Sequence, residues 1–325
     1  YNKLKDLKED QILKVFIDST LNYNGTIKTF DTSLKGKSKE TILFMAHTCH
    51  PYTVNDGLGC IATLIELYNY LNKKKNRKYT YRFIFGPEYF GAANFLHKLS
   101  AQELSNIKFG MFLDMVGTNE PLGFQTSFQG NTFLDLALTN VLKTHVGTYL
   151  KKPYRKMWPN DEVFHNGPGI NIPTLGFGRA MYREYHYNTD NYQNFNMYNA
   201  IESLWVLVRT IEILETNIVP TLNYKGPLYL SAHNLYIDPY VNPEGYDNLE
   251  YIQMLIDGKL SVFEIAEKLN IDYFFVLDFI QKLFEKSLLN KKNWELADKD
   301  FSFGSCYGTK FESTINSLDF PWEKR

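Results

Sequence analysis

The chain has 325 residues, 44% of them hydrophobic and 16% aromatic, enough for one large core or for a large domain with a small one beside it. Its 35 basic and 36 acidic residues leave a net charge of -1, which gives no reason to expect nucleic acid or an anionic membrane as partner. Cys49, Cys60 and Cys306 are too few and too irregularly spaced for a disulfide framework and fit a reducing cytoplasm. No apolar run reaches the about 18 residues of a membrane span, and no signal-peptide pattern opens the sequence. What precedes Tyr1 is left open, as is the oligomeric state.

The first two thirds of the chain alternate between strand-like and helix-like patterns. "ETILFMAHT" (Glu40–Thr48) is a short apolar run that predicts a buried strand. "LGCIATLIELYNYLNKKK" (Leu58–Lys75) has helical spacing and ends in lysines, which suit a helix C-terminus. "YTYRFIFGP" (Tyr79–Pro87) reads as a strand, "AANFLHKL" (Ala92–Leu99) as a short helix and "IKFGMFLDMVG" (Ile107–Gly117) as a third strand-like element. "TFLDLALTNVLKTH" (Thr132–His145) is helical, "IPTLGFGRA" (Ile172–Ala180) strand-like, and "NMYNAIESLWVLVRTIEILETN" (Asn196–Asn217) a long helix. This alternation predicts an α/β fold, a mostly parallel mixed sheet sandwiched by helices.

After about residue 221 the texture changes. Residues 222–248 are turn-rich and read as a linker from the α/β domain of residues 1–221. Leu249–Leu289 then reads as three helices, the second "SVFEIAEKL" and the third "DYFFVLDFIQKLFEKS". This helix-turn-helix pattern resembles a small winged-helix domain, placed with its tail at 249–325. From Gly245 to Arg325 there are ten basic and fourteen acidic residues, a balance of -4, and the would-be recognition helix is aromatic and carries Asp272 and Asp278. Phosphate contacts dominate DNA affinity, so this surface disfavours nucleic acid; its aromatic face suits packing on the larger domain or on a protein.

The residues able to bind a metal fall at the predicted strand ends. After the first strand come His50 and Asp56, after the second Glu88, at the end of the third Asp114, and after the strand ending near Gly178 come His186 and Asp190. The carboxyl ends of parallel strands line one edge of the sheet, so these side chains are expected to converge. Two imidazoles and three carboxylates suit zinc or a similar divalent ion, and an aspartate between two ions can bridge them. Each residue alone has a plainer reading: a lone histidine is more often satisfied in place, Glu88 can cap a helix, and Asp114 can accept turn N–H groups. In an extended segment His47 and Cys49 point away from the face that carries His50. Cys49 then reads as a small buried residue, or as a thiolate nucleophile paired with a histidine, and Cys60 as core.

Together, "HPYTVNDGLGC", "FGPEYFG", "LDMVG" and "EYHYNTDN" occur in the order seen in zinc-dependent aminopeptidases of the co-catalytic metallopeptidase family, whose fold is zinc exopeptidase-like. The chain resembles more closely a subgroup of aminopeptidase-like proteins with a C-terminal winged helix, through "CHP" (Cys49–Pro51), "PE" (Pro87–Glu88) and "PGINIP" (Pro168–Pro173) before "EYH" (Glu184–His186). The resemblance covers most of residues 1–289. It implies His50, Asp56, Glu88, Asp114 and His186 as ligands of one or two Zn2+ ions, Asp56 as the bridge, Asp190 as support for its turn, and Asp161 as a partner that orients His186. It also implies cleavage of an amide bond in a small peptide or amino-acid conjugate, with Glu88 as general base. Two departures stand out. The family's glutamate pair is Pro87-Glu88 here, and Tyr52 stands two residues after His50 where the family has aspartate. If Glu88 is a ligand, the base is missing or comes from Glu162 or Glu184; if Glu88 is the base, one ion has a thinner shell and the site holds a single ion; the alternative is a catalytically degenerate homologue that binds a small ligand in a metal-lined pocket. Arg179 and Arg183 could read a carboxylate or phosphate, with Glu162 as a further substrate-binding candidate, and acidic groups near the metals would favour a substrate with a free amine.

Overall fold

The structure, a computed structural model, describes residues 11–50 and 52–290. Its centre is a seven-stranded mixed sheet in the order β1-β3-β2-β4-β7-β5-β6. The strands are β1 (Phe30–Leu34), β2 (Thr41–His47), β3 (Thr80–Gly86), β4 (Ile107–Asp114), β5 (Leu122–Gln125), β6 (Leu150–Lys152) and β7 (Thr174–Arg179). β2 runs parallel to β3 and β4, and β4 to β7, so the four strands predicted from apolar runs form the parallel centre. β1 pairs antiparallel with β3, and β5 antiparallel with β7, with β6 added parallel to β5 at the far edge. These three carry no sequence signal strong enough to read. β1 is a largely exposed edge strand, and β5 and β6 have only four and three residues.

Period-two alternation divides each central strand between two helical layers. Ile42, Phe44 and Ala46 of β2 join Tyr81, Phe83, Phe85, Leu113 and Phe177 on one face. That face packs under α1 (Gly59–Asn72) and α6 (Met197–Thr216). Leu43, Met45, Ile84 and Phe112 point the other way, towards Phe95 of α2 (Phe90–Lys98). Three further helices complete this region: α3 (Ala101–Asn106), α4 (Phe133–Val141) and the short α5 (Glu162–Asn166). Thr132 opens α4 with a reciprocal capping box to Asp135, which explains why the helix begins there.

The span read as helix-turn-helix holds α7 (Pro243–Leu255), α8 (Val262–Leu269) and α9 (Tyr273–Glu285). Residues 291–325, which would complete a winged helix, lie outside the described residues, as does Cys306. These helices share one apolar cluster with the sheet: Val262, Ile265, Tyr273, Val276 and Ile280 are buried with Val206, Ile213 and Val141. The seam is polar as well as apolar. Asn140 donates Nδ2 to Ile271 O (3.2 Å) and Glu267 Oε1 (3.0 Å) and accepts from Tyr273 N (3.2 Å). The Arg209 guanidinium lies 3.3 Å from the centroid of the Phe274 ring. The aromatic face of α9 is thus spent against α6. Among the described residues no helix is long and apolar enough to cross a membrane.

Candidate metal centre

Four strand ends deliver the site. β2 stops at His47, and the chain bends through His50 into a kinked turn at Val54–Leu58. There Asp56 takes φ -87°, ψ 72° and Gly57 takes φ 126°, a conformation that needs glycine. Thr53 Oγ1 braces the turn by donating to Asp56 O (2.7 Å). The turn is also held from far away in sequence. The Asp190 carboxylate, 1% exposed, accepts from Asn55 N (3.1 Å to each oxygen), Asn55 Nδ2 (3.1 Å), Asp56 N (3.0 Å) and Tyr182 OH (2.7 Å).

This arrangement brings Asp56 Oδ2 to 3.3 Å from His50 Nδ1 and 3.2 Å from His186 Nε2. The contacts are close but not aligned as hydrogen bonds, and the buried Oδ2 has no hydrogen-bond partner. An oxygen and two ring nitrogens facing one another in this way fit a divalent cation, which would satisfy all three at once. His186 sits at φ 61°, with its ring stacked on Tyr185 (centroids 3.9 Å apart) and tilted against His50 (4.9 Å).

A second donor group adjoins the first. One ligand atom each of His47, Cys49 and Glu88 lie within 4.8 Å of one another, and Cys49 Sγ is 3.5 Å from His50 Nδ1. His47 is 4% exposed, and its Nε2 lacks a hydrogen-bond partner, standing 3.5 Å from Asp161 Oδ2. Burial pulls the His47 pKa down, but Asp161, Asp114 and Glu88 outweigh it and hold it above its ordinary value. Burial and the Glu88 charge push the Cys49 thiol up. Asp114, at the end of β4, is pushed up to about 8 by burial and then by the Asp56 charge, with Glu88 adding and His47 opposing. Carboxylates crowded in this way repel one another until a cation joins them. Gly178 of β7 lies so close to Asp114 that a Cβ there would come within 1.6 Å of Asp114 O.

Several expected placements change. His47 and Cys49 fall together in a group apart from His50, as alternation predicts, but Cys49 Sγ stays 3.5 Å from His50 Nδ1 because the strand itself ends at His47. Glu88 falls with them and not with His50, since it follows β3, the neighbour of β2. Asp161 does not orient His186. Its Oδ1 accepts from Tyr89 N (2.7 Å) and its Oδ2 faces His47 (3.5 Å), so both oxygens are engaged elsewhere. Arg179 is no substrate reader. Buried in β7, it donates Nε to Val116 O (3.1 Å) and Nη groups to Glu120 O (3.0 Å), Asn199 O (3.1 Å) and the Glu202 carboxylate. Glu162 is closed to solvent beside Arg155 (3.3 Å), and burial raises its pKa. Glu184 is half-buried and Arg183 exposed, both on the turn that carries His186.

Two neighbours escaped the sequence reading. Asn160 donates Nδ2 to Asp114 Oδ2 (3.0 Å), fixing that carboxylate. Tyr185 has its hydroxyl pKa raised by burial and by Asp114, Asp56 and Glu88, so it shares their field. Its position beside His186 was the available signal. Tyr89 (φ 62°), Met115 (φ 53°) and His186 each follow a strand end in the left-handed region, a backbone strain of about 1–3 kcal/mol apiece that collects at functional sites.

The chain is similar to several known proteins. A Clostridium acetobutylicum protein named as a candidate polysaccharide biosynthesis protein with an aminopeptidase-like domain is 29% identical over 278 residues, 84% of this chain. The chain spans 63% of that relative's length. A crystal structure of a candidate peptidase from Clostridium acetobutylicum superposes with TM-score 0.70 at 27% identity, covering 81% of this chain and 60% of that one. A zinc aminopeptidase from Bacillus subtilis matches with TM-score 0.47 at 18% identity, over 57% of this chain and 49% of that one. Residues 17–217 match the family described as a domain of unknown function, DUF4910, and the chain belongs to that family.

Proposed function

We propose that the protein is a zinc-dependent, aminopeptidase-like hydrolase that cleaves an amide bond of a small peptide or amino-acid conjugate. One observation carries the reading: His50 and Asp56, after β2, and His186, after β7, meet around a buried Asp56 oxygen that no hydrogen bond satisfies. His50, Asp56 and His186 would hold one ion, with Asp114, Glu88 and His47 beside them. Zinc supplies Lewis-acid polarisation of the scissile carbonyl and activation of water there.

The chain's own groups do the rest. The Glu88 carboxylate takes the proton of the attacking water and returns it to the leaving amine nitrogen. The carboxylates of Asp56, Asp114 and Glu88 favour a substrate with a free ammonium group. Arg183, exposed three residues before His186, is the group proposed to meet a substrate carboxylate. Asp190 and Tyr182 keep the Asn55–Asp56 turn from relaxing, so that the ligands stay aimed.

A panel of aminoacyl anilides and dipeptides with added zinc tests this. Turnover in the wild type that disappears in Glu88→Gln, with zinc still bound, is the expected result. A second reading, a homologue that binds a small ligand without hydrolysis, is favoured by the grouping of Glu88 with His47 and Cys49, which asks one carboxylate for two duties. Zinc-loaded protein that binds dipeptides but turns over none of the panel would support that second reading against the first.

A further inference from the structure

We propose that residues 13–21 close as an eighth strand on the free edge of β1, forming a hairpin whose tip stands beside the strand-end cluster. The chemistry of that cluster plays no part in the inference. β1 opens the sheet order and, among the described residues, pairs only with β3, so its outer edge offers unpaired N–H and C=O groups. Just upstream, Leu13, Val15 and Ile17 recur at period two, the mark of a strand with one buried face. In the open arrangement that face stands in water, with Val15 77% and Ile17 76% exposed.

The turn that joins the two strands is already formed. Gly25 N donates to Asn22 O (3.1 Å) and Asn24 N donates to Asn22 Oδ1 (2.9 Å). Asparagine at the first position and glycine at the fourth suit such a turn. Continued from its hydrogen bond, the pairing sets Ile17 opposite Phe30, Val15 opposite Thr32 and Leu13 opposite Leu34. Phe30 and Thr32 line a groove of about 570 Å³, whose other walls include Phe83 of β3 and Ile61, Ile65 and Tyr68 of α1. Phe30 and Ile65 are both exposed there. The closed strand turns its apolar row to this groove, while Lys14, Phe16 and Asp18 take the other face with the Asp31–Arg82 ion pair. A slip of one residue would put Lys14 and Asp18 over the groove instead.

Closure bears on the site as well. Thr29, just ahead of β1, packs on Gly86 at the end of β3, so tightly that a Cβ there would meet Thr29 Cγ2 at 3.1 Å. β1 runs antiparallel to β3, so residues 18–29 continue past the carboxyl edge of the sheet, the edge from which Glu88 follows β3. At about 3.3 Å per residue the two arms reach roughly 20 Å beyond it and wall the β1 side of the cluster.

Two measurements on the full chain test this. Hydrogen exchange read by mass spectrometry should show peptides within residues 13–21 exchanging roughly 100-fold more slowly than a free chain, with the protection lost in Ile17→Asp and kept in Lys14→Asp. On mild oxidation Val15→Cys/Thr32→Cys should link within one chain, seen as a joined peptide in a non-reducing map, and Val15→Cys/Ser33→Cys, on opposite faces, should not. Free-chain exchange across residues 13–21 would overturn the proposal whatever the links show. A link in the second pair in place of the first would overturn the register. Links between chains would overturn closure within the chain and assign the strand to the β1 edge of a second copy.

Discussion

The Asp190 carboxylate accepts the backbone N–H of Asp56 at 3.0 Å from 134 residues away in sequence, and so fixes the aim of the proposed bridging ligand from outside the ligand set. Asp190→Asn keeps the shape but removes the charge that several donors share. The variant should lose about 3 kcal/mol of stability and bind zinc about 10–100-fold more weakly. Urea unfolding and zinc titration measure the two effects. Zinc affinity equal to wild type would mean that the turn holds its aim unaided.

Arg179 and Arg183 are separated by four positions and assigned opposite roles. Arg179→Lys forfeits the fork that reaches Val116, Glu120, Asn199 and Glu202, and should cost about 2 kcal/mol in urea unfolding with KM unchanged. Arg183→Ala should leave stability within about 0.5 kcal/mol and raise KM for substrates that carry a free carboxylate. The reverse pattern would return the substrate-reading role to Arg179.

Glu212, buried in α6, is pushed up to about 7 by burial, against the pull of Arg209 and Lys74. Its folded pKa therefore lies above its unfolded value, the native state keeps the proton longer, and the associated stability is full below about pH 4.5 and lost as pH climbs through about 7. Calorimetry of wild type against Glu212→Gln should show the wild type losing Tm relative to the variant between pH 4.5 and 7.5. A difference that is flat across this window would contradict the assignment.

The α8–α9 seam should be sensitive to one amide. Asn140→Ala strips partners from Tyr273 N and Ile271 O, both in a closed interface, and should cost about 1–3 kcal/mol. Limited proteolysis should then cut the C-terminal helices faster than in wild type. An unchanged cleavage rate would show that the apolar contacts hold the seam alone.

The sheet's parallel centre could be read from the sequence because β2, β3, β4 and β7 are buried on both faces and appear as continuous apolar runs. The grouping of His50, Asp56 and His186 followed from strand ends sharing one edge, whereas Asp114 stands outside both donor groups. What escaped has physical reasons. β1, β5 and β6 are too short or too exposed to carry a pattern. That Glu88 joins His47 and Cys49 was not legible, because the strand geometry that separates them from His50 says nothing of β3. Arg179 looked like a ligand reader because an arginine near a site resembles one until its burial is known, and burial comes from α6, twenty residues further along.

Elemental analysis of purified protein, set against an Asp56→Ala/His186→Ala variant shown to be folded by circular dichroism, tests the central claim most directly. Wild type should carry about one or two zinc ions per chain, and the variant should lose the ion held by His50, Asp56 and His186. Zinc content that is the same in both proteins would contradict the assignment of this cluster as the metal centre.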